Sequence, residues 1–354
     1  MLQRDDKLSI DQKALSVNLD DAIYGTIVEI GAGQEVARRF FSAGGAAGTV
    51  AKTMSAYDMT VSDEIYGRAH RYVGRERLEQ MLQREFDLLV SRLAEVRPRH
   101  TTFFAYAATV AAKSYAKQSE SHGWVGLRLQ LRPGEPPNDI VLHLRMLDDE
   151  NPLQSEALGM LGVNLVHAAY HYANRPEWII ESLLDNIGQG RLEVDLINFA
   201  GPAFSFVENR LMNLHLIRAW LTRAVMFDAS GASVAPMDLL YKRPVQVIRG
   251  SFKPPTRVHR DMLRLAVPEF VATSGVEEDD VVQMAEISMS ELVSGDRVDS
   301  SDFLARVDLL NILGVPVLVS DYVRFFGVRY CLRELTLITL GIRIRVMVFV
   351  PVFD

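Results

Sequence analysis

Three stretches of this chain combine residue types that can hold an anion. In "YGTIVEIGAGQEVARRFF", residues 24–41, Gly31 and Gly33 stand between an apolar run and a helix-like pattern. Glycine lets a backbone approach a phosphate closely, and the helix that follows offers its positive end. A dinucleotide fingerprint needs a third glycine where Val36 stands, and a methyltransferase-type acidic-Gly-x-Gly motif usually has glycine at the position of Glu35. A structural turn is therefore the preferred reading, with a cofactor cradle as the alternative. In "GGAAGTVAKT", residues 44–53, Val50 and Ala51 separate the last glycine from Lys52. A phosphate-binding loop needs its lysine directly after that glycine, so what remains is a looser anion nest at Lys52 and Thr53. The third stretch, residues 240–260, has six basic residues and no acid between Asp238 and Asp261. Arg249, Ser251 and Lys253 fall just past its apolar strand, and a guanidinium fork suits phosphate or carboxylate oxygens.

If the chain moves protons, His122, Asp58 and His143 are the candidates. His167 and His171 are four apart on a helix-like run, a spacing that can ligate a metal, but no carboxylate lies one turn away and no metal site is expected. Asp148, Asp149 and Glu150 diverge at a strand end and fit a solvated loop better than a cation site. "AVMFDASG" resembles the first motif of haloacid-dehalogenase-type phosphatases, with Asp228 first and Ser320 as the later serine. Ser230 replaces the second aspartate, which removes the general acid. No cofactor is identified from the residues.

The elements that must position these groups read as α/β: a mixed, largely parallel sheet with flanking helices and an antiparallel hairpin near 124–147. Val125, Leu127, Leu129 and Leu131 alternate with polar or small residues, and across "PGEPPN" Ile140, Leu142, Leu144 and Met146 alternate with Val141, His143 and Arg145, the period-two signature of paired strands. Leu78, Leu82, Phe86, Leu89 and Leu93 recur at three and four, predicting an amphipathic helix over 75–97. Strand-then-helix repeats after residue 187 imply parallel pairing. "TTFFAYAATVAA" fits either a buried strand or a helix. Residues 1–21 read as a polar arm and 22–326 as one α/β body, with a sub-boundary near 116–123.

The chain has 354 residues and a net charge near −7, so it lacks the overall positive field that nucleic-acid or anionic-membrane binding draws on. It has a single cysteine, Cys331, and its first residues lack the pattern of a secretion signal; a cytoplasmic location is expected.

Many segments in the same order, among them "LDDAIYGTIVEIGAGQEVARRFF", "GPAFSFVENRLMNLHL" and "LLYKRPVQVIRGSFKPPTRV", resemble an uncharacterised family of bacterial cytoplasmic proteins, over roughly residues 8–326. Members carry labels such as nicotinate-nucleotide adenylyltransferase or TonB-dependent receptor. Neither label follows from these residues: the His-x-Gly-His turn of the first is absent, and so is the barrel pattern of the second. The resemblance implies a shared fold and supplies no catalytic residue. Residues 327–354 depart from the family pattern as an atypical apolar tail, which a truncated or frameshifted end would explain and which would favour association of copies. The expectation is an enzyme, a transferase or other phosphate-handling protein, that binds an anionic small molecule, with a nucleotide as one form. The alternatives are an interaction protein with an acidic partner and, lower, a methyltransferase-like protein.

Overall fold

The run that periodicity left undecided is a strand. Nine of the ten residues of Thr102–Ala111 are buried, so a sheet covered on both faces explains its lack of alternation. The computed structural model describes residues 7–31, 34–112, 121–294, 297–324, 327–329, 331–332 and 340–344. The chain divides into two compact units, Met1–Leu221 and Thr222–Asp354. The boundary expected near 116–123 lies inside the first unit, where residues 113–120 fall outside the described set.

Unit 1 runs α1 (Ile10–Asn18), β1 (Ile23–Gly31), α2 (Glu35–Ala43), β2 (Val50–Met54), α3 (Met59–Tyr66), α4 (Arg75–Leu93), β3 (Thr102–Ala111), β4 (His122–Leu129), β5 (Asn138–Met146), α5 (Asn151–His171), α6 (Pro176–Ser182), β6 (Leu192–Ala200) and α7 (Asn209–Arg218). Its sheet is ordered β2-β1-β3-β4-β5-β6. β1 pairs parallel with β2 and β3, and the remaining neighbours are antiparallel. The expected hairpin is β4–β5. β6 was expected to be parallel but lies antiparallel to β5, with Met146 opposite Leu192. One helix would carry the chain to the far end of the sheet; α5 followed by α6 returns it to the end it left.

The N-terminal segment, expected as a polar arm, carries α1. Ile10, Ala14 and Val17 form a buried stripe at helical spacing, and Ser9 with Gln12 makes a capping box, each side chain bonded to the other's backbone N–H. Polar composition hid a three-residue apolar face. Lys13 on the same helix is 3% exposed and bonds Asp185 at 2.8 Å and Asn164 at 2.7 Å.

Unit 2 runs β7 (Ala224–Phe227), β8 (Ser233–Val234), α8 (Pro236–Leu240), β9 (Val245–Arg249), α9 (Arg257–Ser274), β10 (Val282–Ser288), β11 (Val293–Ser294), β12 (Arg297–Val298), α10 (Ser300–Ile312), β13 (Val317–Ser320) and β14 (Leu340–Ile344). The main sheet is ordered β14-β9-β10-β13-β7-β8, with the first four strands parallel. Val245, Val247, Met284 and Leu318 pack on Val328 and Leu332. Part of the apolar tail thus extends this sheet and its cover. Among the described residues no helix is long and apolar enough to cross a membrane.

Candidate active site

One end of the unit 1 sheet gathers the carboxyl ends of β1, β2, β3 and β5 with the amino ends of β4 and β6, as their registers require. Two features lie there: a chain of titratable side chains, buried at Asp195 and His143 and half-buried at His122, and a cleft.

The side-chain chain starts at Asp195. On β6 this residue is the extra one in a bulge: His143 pairs with Leu196 and Leu144 with Val194, so Asp195 has no partner in the ladder. A bulge can redirect a side chain. Here Asp195 Oδ1 lies 2.6 Å from His143 Nδ1, with the two side chains 4% and 1% exposed. The other ring nitrogen, His143 Nε2, is 3.2 Å from Nδ1 of His122, the first residue of β4. Trp124, 1% exposed, packs its ring 5.0 Å from that of His143 and helps hold the imidazole in place.

The bonding order fixes the tautomers. A carboxylate accepts, so His143 donates from Nδ1–H; neutral His143 then accepts at Nε2 from Nδ1–H of His122, and the lone pair of His122 is left on Nε2. Burial, and then the neighbouring His143, push the pKa of His122 down to about 4. His122 is therefore neutral at pH 7. A proton reaching its Nε2 can move down the chain, forming an imidazolium at His143 beside the Asp195 carboxylate.

The cleft has a volume of 580 Å³ and is lined by Gly31, Asp58, Tyr72, Thr109, Val110 and Ala112, among others. Ala111, between the last two, is paired with His122, so the end of the relay sits one ladder position from the cleft wall. Met59 and Ser62 of α3 and Asn151 and Ser155 of α5 also line it. Two helices thus begin at the cleft. Asp58 caps α3, accepting from Val61 N at 3.1 Å. Glu150, the cap residue of α5, makes no side-chain capping bond.

Gly31 has φ +87°, and a Cβ there would lie 1.9 Å from the Val110 carbonyl oxygen. Its glycine character serves a close approach by the neighbouring strand. Gly33 lies outside the described residues. The start of α2, where a bound phosphate would sit, is occupied by the chain itself: both carboxylate oxygens of Glu29 accept 3.3 Å bonds, from Val36 N and Ala37 N. Burial raises the Glu29 carboxyl to about 7, against the lowering effect of those two amides.

The other anticipated anion-holding groups lie elsewhere. Lys52, on edge strand β2, pairs with Glu85 of α4, whose other oxygen accepts from Tyr66 at 2.8 Å. Thr53, beside it, is exposed. Arg249, Ser251 and Lys253 belong to unit 2. There Arg249 Nε forms an ion pair with buried Glu286 at 2.9 Å and its Nη2 donates to the Tyr322 carbonyl; the other Glu286 oxygen accepts from Ser320 at 2.6 Å. The Ser251 carbonyl accepts from Arg306 at 3.0 Å, and Lys253, 65% exposed, stands 3.5 Å from Asp302. His167 and His171 stack with ring centroids 4.0 Å apart. Among the described residues no group of three or more His, Cys, Asp or Glu is placed to hold a metal.

Sequence reasoning found His122 and His143 one at a time and missed Asp195. The available signal was an aspartate inside the apolar run "LEVDLINF", where a buried charge needs a partner.

No model of a known protein family matches the chain, and no curated protein matches it. Among solved structures it is similar to the competence/damage inducible protein CihA from Agrobacterium tumefaciens, at 18% identity and TM-score 0.34, over 48% of this chain and 98% of that one. It is also similar to a competence-damaged protein (CinA) superfamily protein from Enterobacter cloacae, at 13% identity and TM-score 0.32, over 48% of this chain and 97% of that one. A CinA superfamily protein from Escherichia coli gives 13% identity and TM-score 0.31, over 46% and 88% of the respective chains. Overlap at that level assigns neither a family nor an activity.

Proposed function

We propose that unit 1 is an acid–base enzyme for a small anionic molecule, with His122 as the proton-transferring group. The Asp195–His143–His122 hydrogen-bonded chain carries this reading, because it ends one ladder position from a cleft wall. The chemistry follows from the tautomers. His122 Nε2 takes a proton from the substrate, the bridging proton shifts to His143 Nε2, and positive charge settles beside the Asp195 carboxylate. Reversing the shift returns the proton to the product, so one residue serves as base and then acid. The anion is favoured by the start of α5, a 21-residue helix with no side-chain cap, whose first turn lines the cleft through Asn151. A nucleotide is one such anion, with the exposed Tyr57 in the cleft lining as an aromatic surface for a base.

The test screens nucleotides and sugar phosphates against the full chain by thermal shift, since a ligand that binds only the folded state stabilises it. Compounds that shift the transition are then followed for conversion by NMR. His122→Gln should keep the shift and slow conversion by about 10²–10⁴-fold. Absence of any shift in the panel, or conversion unaltered by His122→Gln, rules the proposal out.

A further inference from the structure

The walls of the cleft narrow its ligand further. Among the described residues that line it there is no lysine or arginine, and Asp58 is the one charged side chain. A ligand whose recognition depended on its charge alone would meet no full opposite charge there. What the cleft offers instead is aromatic surface and neutral hydrogen-bonding groups. Tyr57 is 79% exposed at its rim, and Tyr72 is half-buried in its lining. The Tyr72 hydroxyl is fixed by donation to Asp63 at 2.9 Å.

Ser62 supplies an independent sign of a missing partner. It lines the cleft, is 2% exposed, and its Oγ has no hydrogen-bond partner among the described residues. A buried hydroxyl without a partner costs free energy that a bound polar group would recover. Its place in the first turns of α3 puts it beside Met59 and the Asp58 cap. Thr109 donates to the Tyr72 carbonyl at 2.5 Å, which ties the loop carrying Tyr72 to the sheet and holds that wall in place. The volume of 580 Å³ lies within the range of roughly 300–1,000 Å³ typical of small-molecule sites.

We infer that the cleft recognises a hydroxylated sugar ring carrying the anionic group, with an apolar ring face on Tyr57 and a ring hydroxyl donating to or accepting from Ser62 Oγ. This rests on the proposal that the cleft is the substrate site. Sugar phosphates and nucleotides both contain such a ring.

The experiment titrates the full chain with inorganic phosphate, ribose, ribose 5-phosphate and AMP by calorimetry, for the wild type, Tyr57→Ser and Ser62→Ala. Tyr57 is exposed, so its replacement leaves the core intact. Ribose 5-phosphate or AMP should bind at least tenfold more tightly than inorganic phosphate, and both substitutions should cut that preference at least threefold while leaving phosphate binding unchanged. AMP well above ribose 5-phosphate would make the source a nucleotide; equal binding would make it a sugar phosphate. Phosphate binding as tightly as ribose 5-phosphate and AMP would overturn the ring inference and leave the anionic reading standing. Ribose binding as tightly as its phosphate would uphold the ring and overturn the anionic reading. A preference untouched by Tyr57→Ser and Ser62→Ala, or no binding at all, overturns the inference.

Discussion

Glu29 offers the sharpest quantitative test of how unit 1 is built. Its carboxyl is 3% exposed, accepts two backbone amides at the start of α2, and titrates at about 7 rather than 4.5. A carboxyl raised in the folded state binds its proton more readily there than in the unfolded chain. Its contribution to stability is therefore whole below pH 4.5 and is withdrawn as pH rises through 7. At 1.36 kcal/mol per unit, the shift corresponds to about 3 kcal/mol across that window. Glu29→Gln keeps the shape and one acceptor but cannot ionise. Urea unfolding of both proteins at pH 5 and pH 8 isolates the effect, because every other titrating group is shared. The variant should be close to the wild type at pH 5 and gain about 3 kcal/mol relative to it by pH 8. A difference that does not change with pH would show that the two amides and the helix dipole fully offset burial. A variant that becomes relatively weaker at pH 8 would reverse the sign of the argument.

Two further perturbations test the framework around the site. Gly31→Ala should lower stability by more than about 3 kcal/mol, since it adds left-handed strain to a contact 1.9 Å from the Val110 carbonyl; chemical denaturation reads this directly. Lys13→Met should cost about 3–5 kcal/mol by leaving Asp185 buried without its main partner, and adding Asp185→Leu should restore a good part of the loss.

Patterns set by near neighbours were visible in the sequence, and those set by distant contacts were not. The β4–β5 hairpin follows from alternation on both arms, and α4 from its three-and-four spacing. β3 stayed ambiguous because burial on both faces removes the alternation that marks a strand. α1 was hidden because its apolar stripe, Ile10, Ala14 and Val17, is interleaved with Asp11, Gln12 and Lys13. The site shows the same division. His122 and His143 could be named, but the contact between them depends on strand register, and Asp195 reaches His143 across 52 positions through a bulge that no periodicity forecasts. Lys52 looked available for a ligand because Glu85, its partner, lies 33 residues away on α4. A cradle stayed open as the alternative at Gly31 because the letters do not show that Glu29 turns back to fill the start of α2.

The irregularity in β6 also bears on how such chemistry can arise and vanish. Removing one residue there would restore an even ladder with β5 and turn the aspartate away from its imidazole, while the strand's apolar contacts on either side could be kept. If the proposed proton transfer is the chemistry of this unit, a lineage could switch between an inert scaffold and a proton-shuttling one by a three-base insertion or deletion. Homologous chains differing at this point should sort by strand length before they sort by histidine.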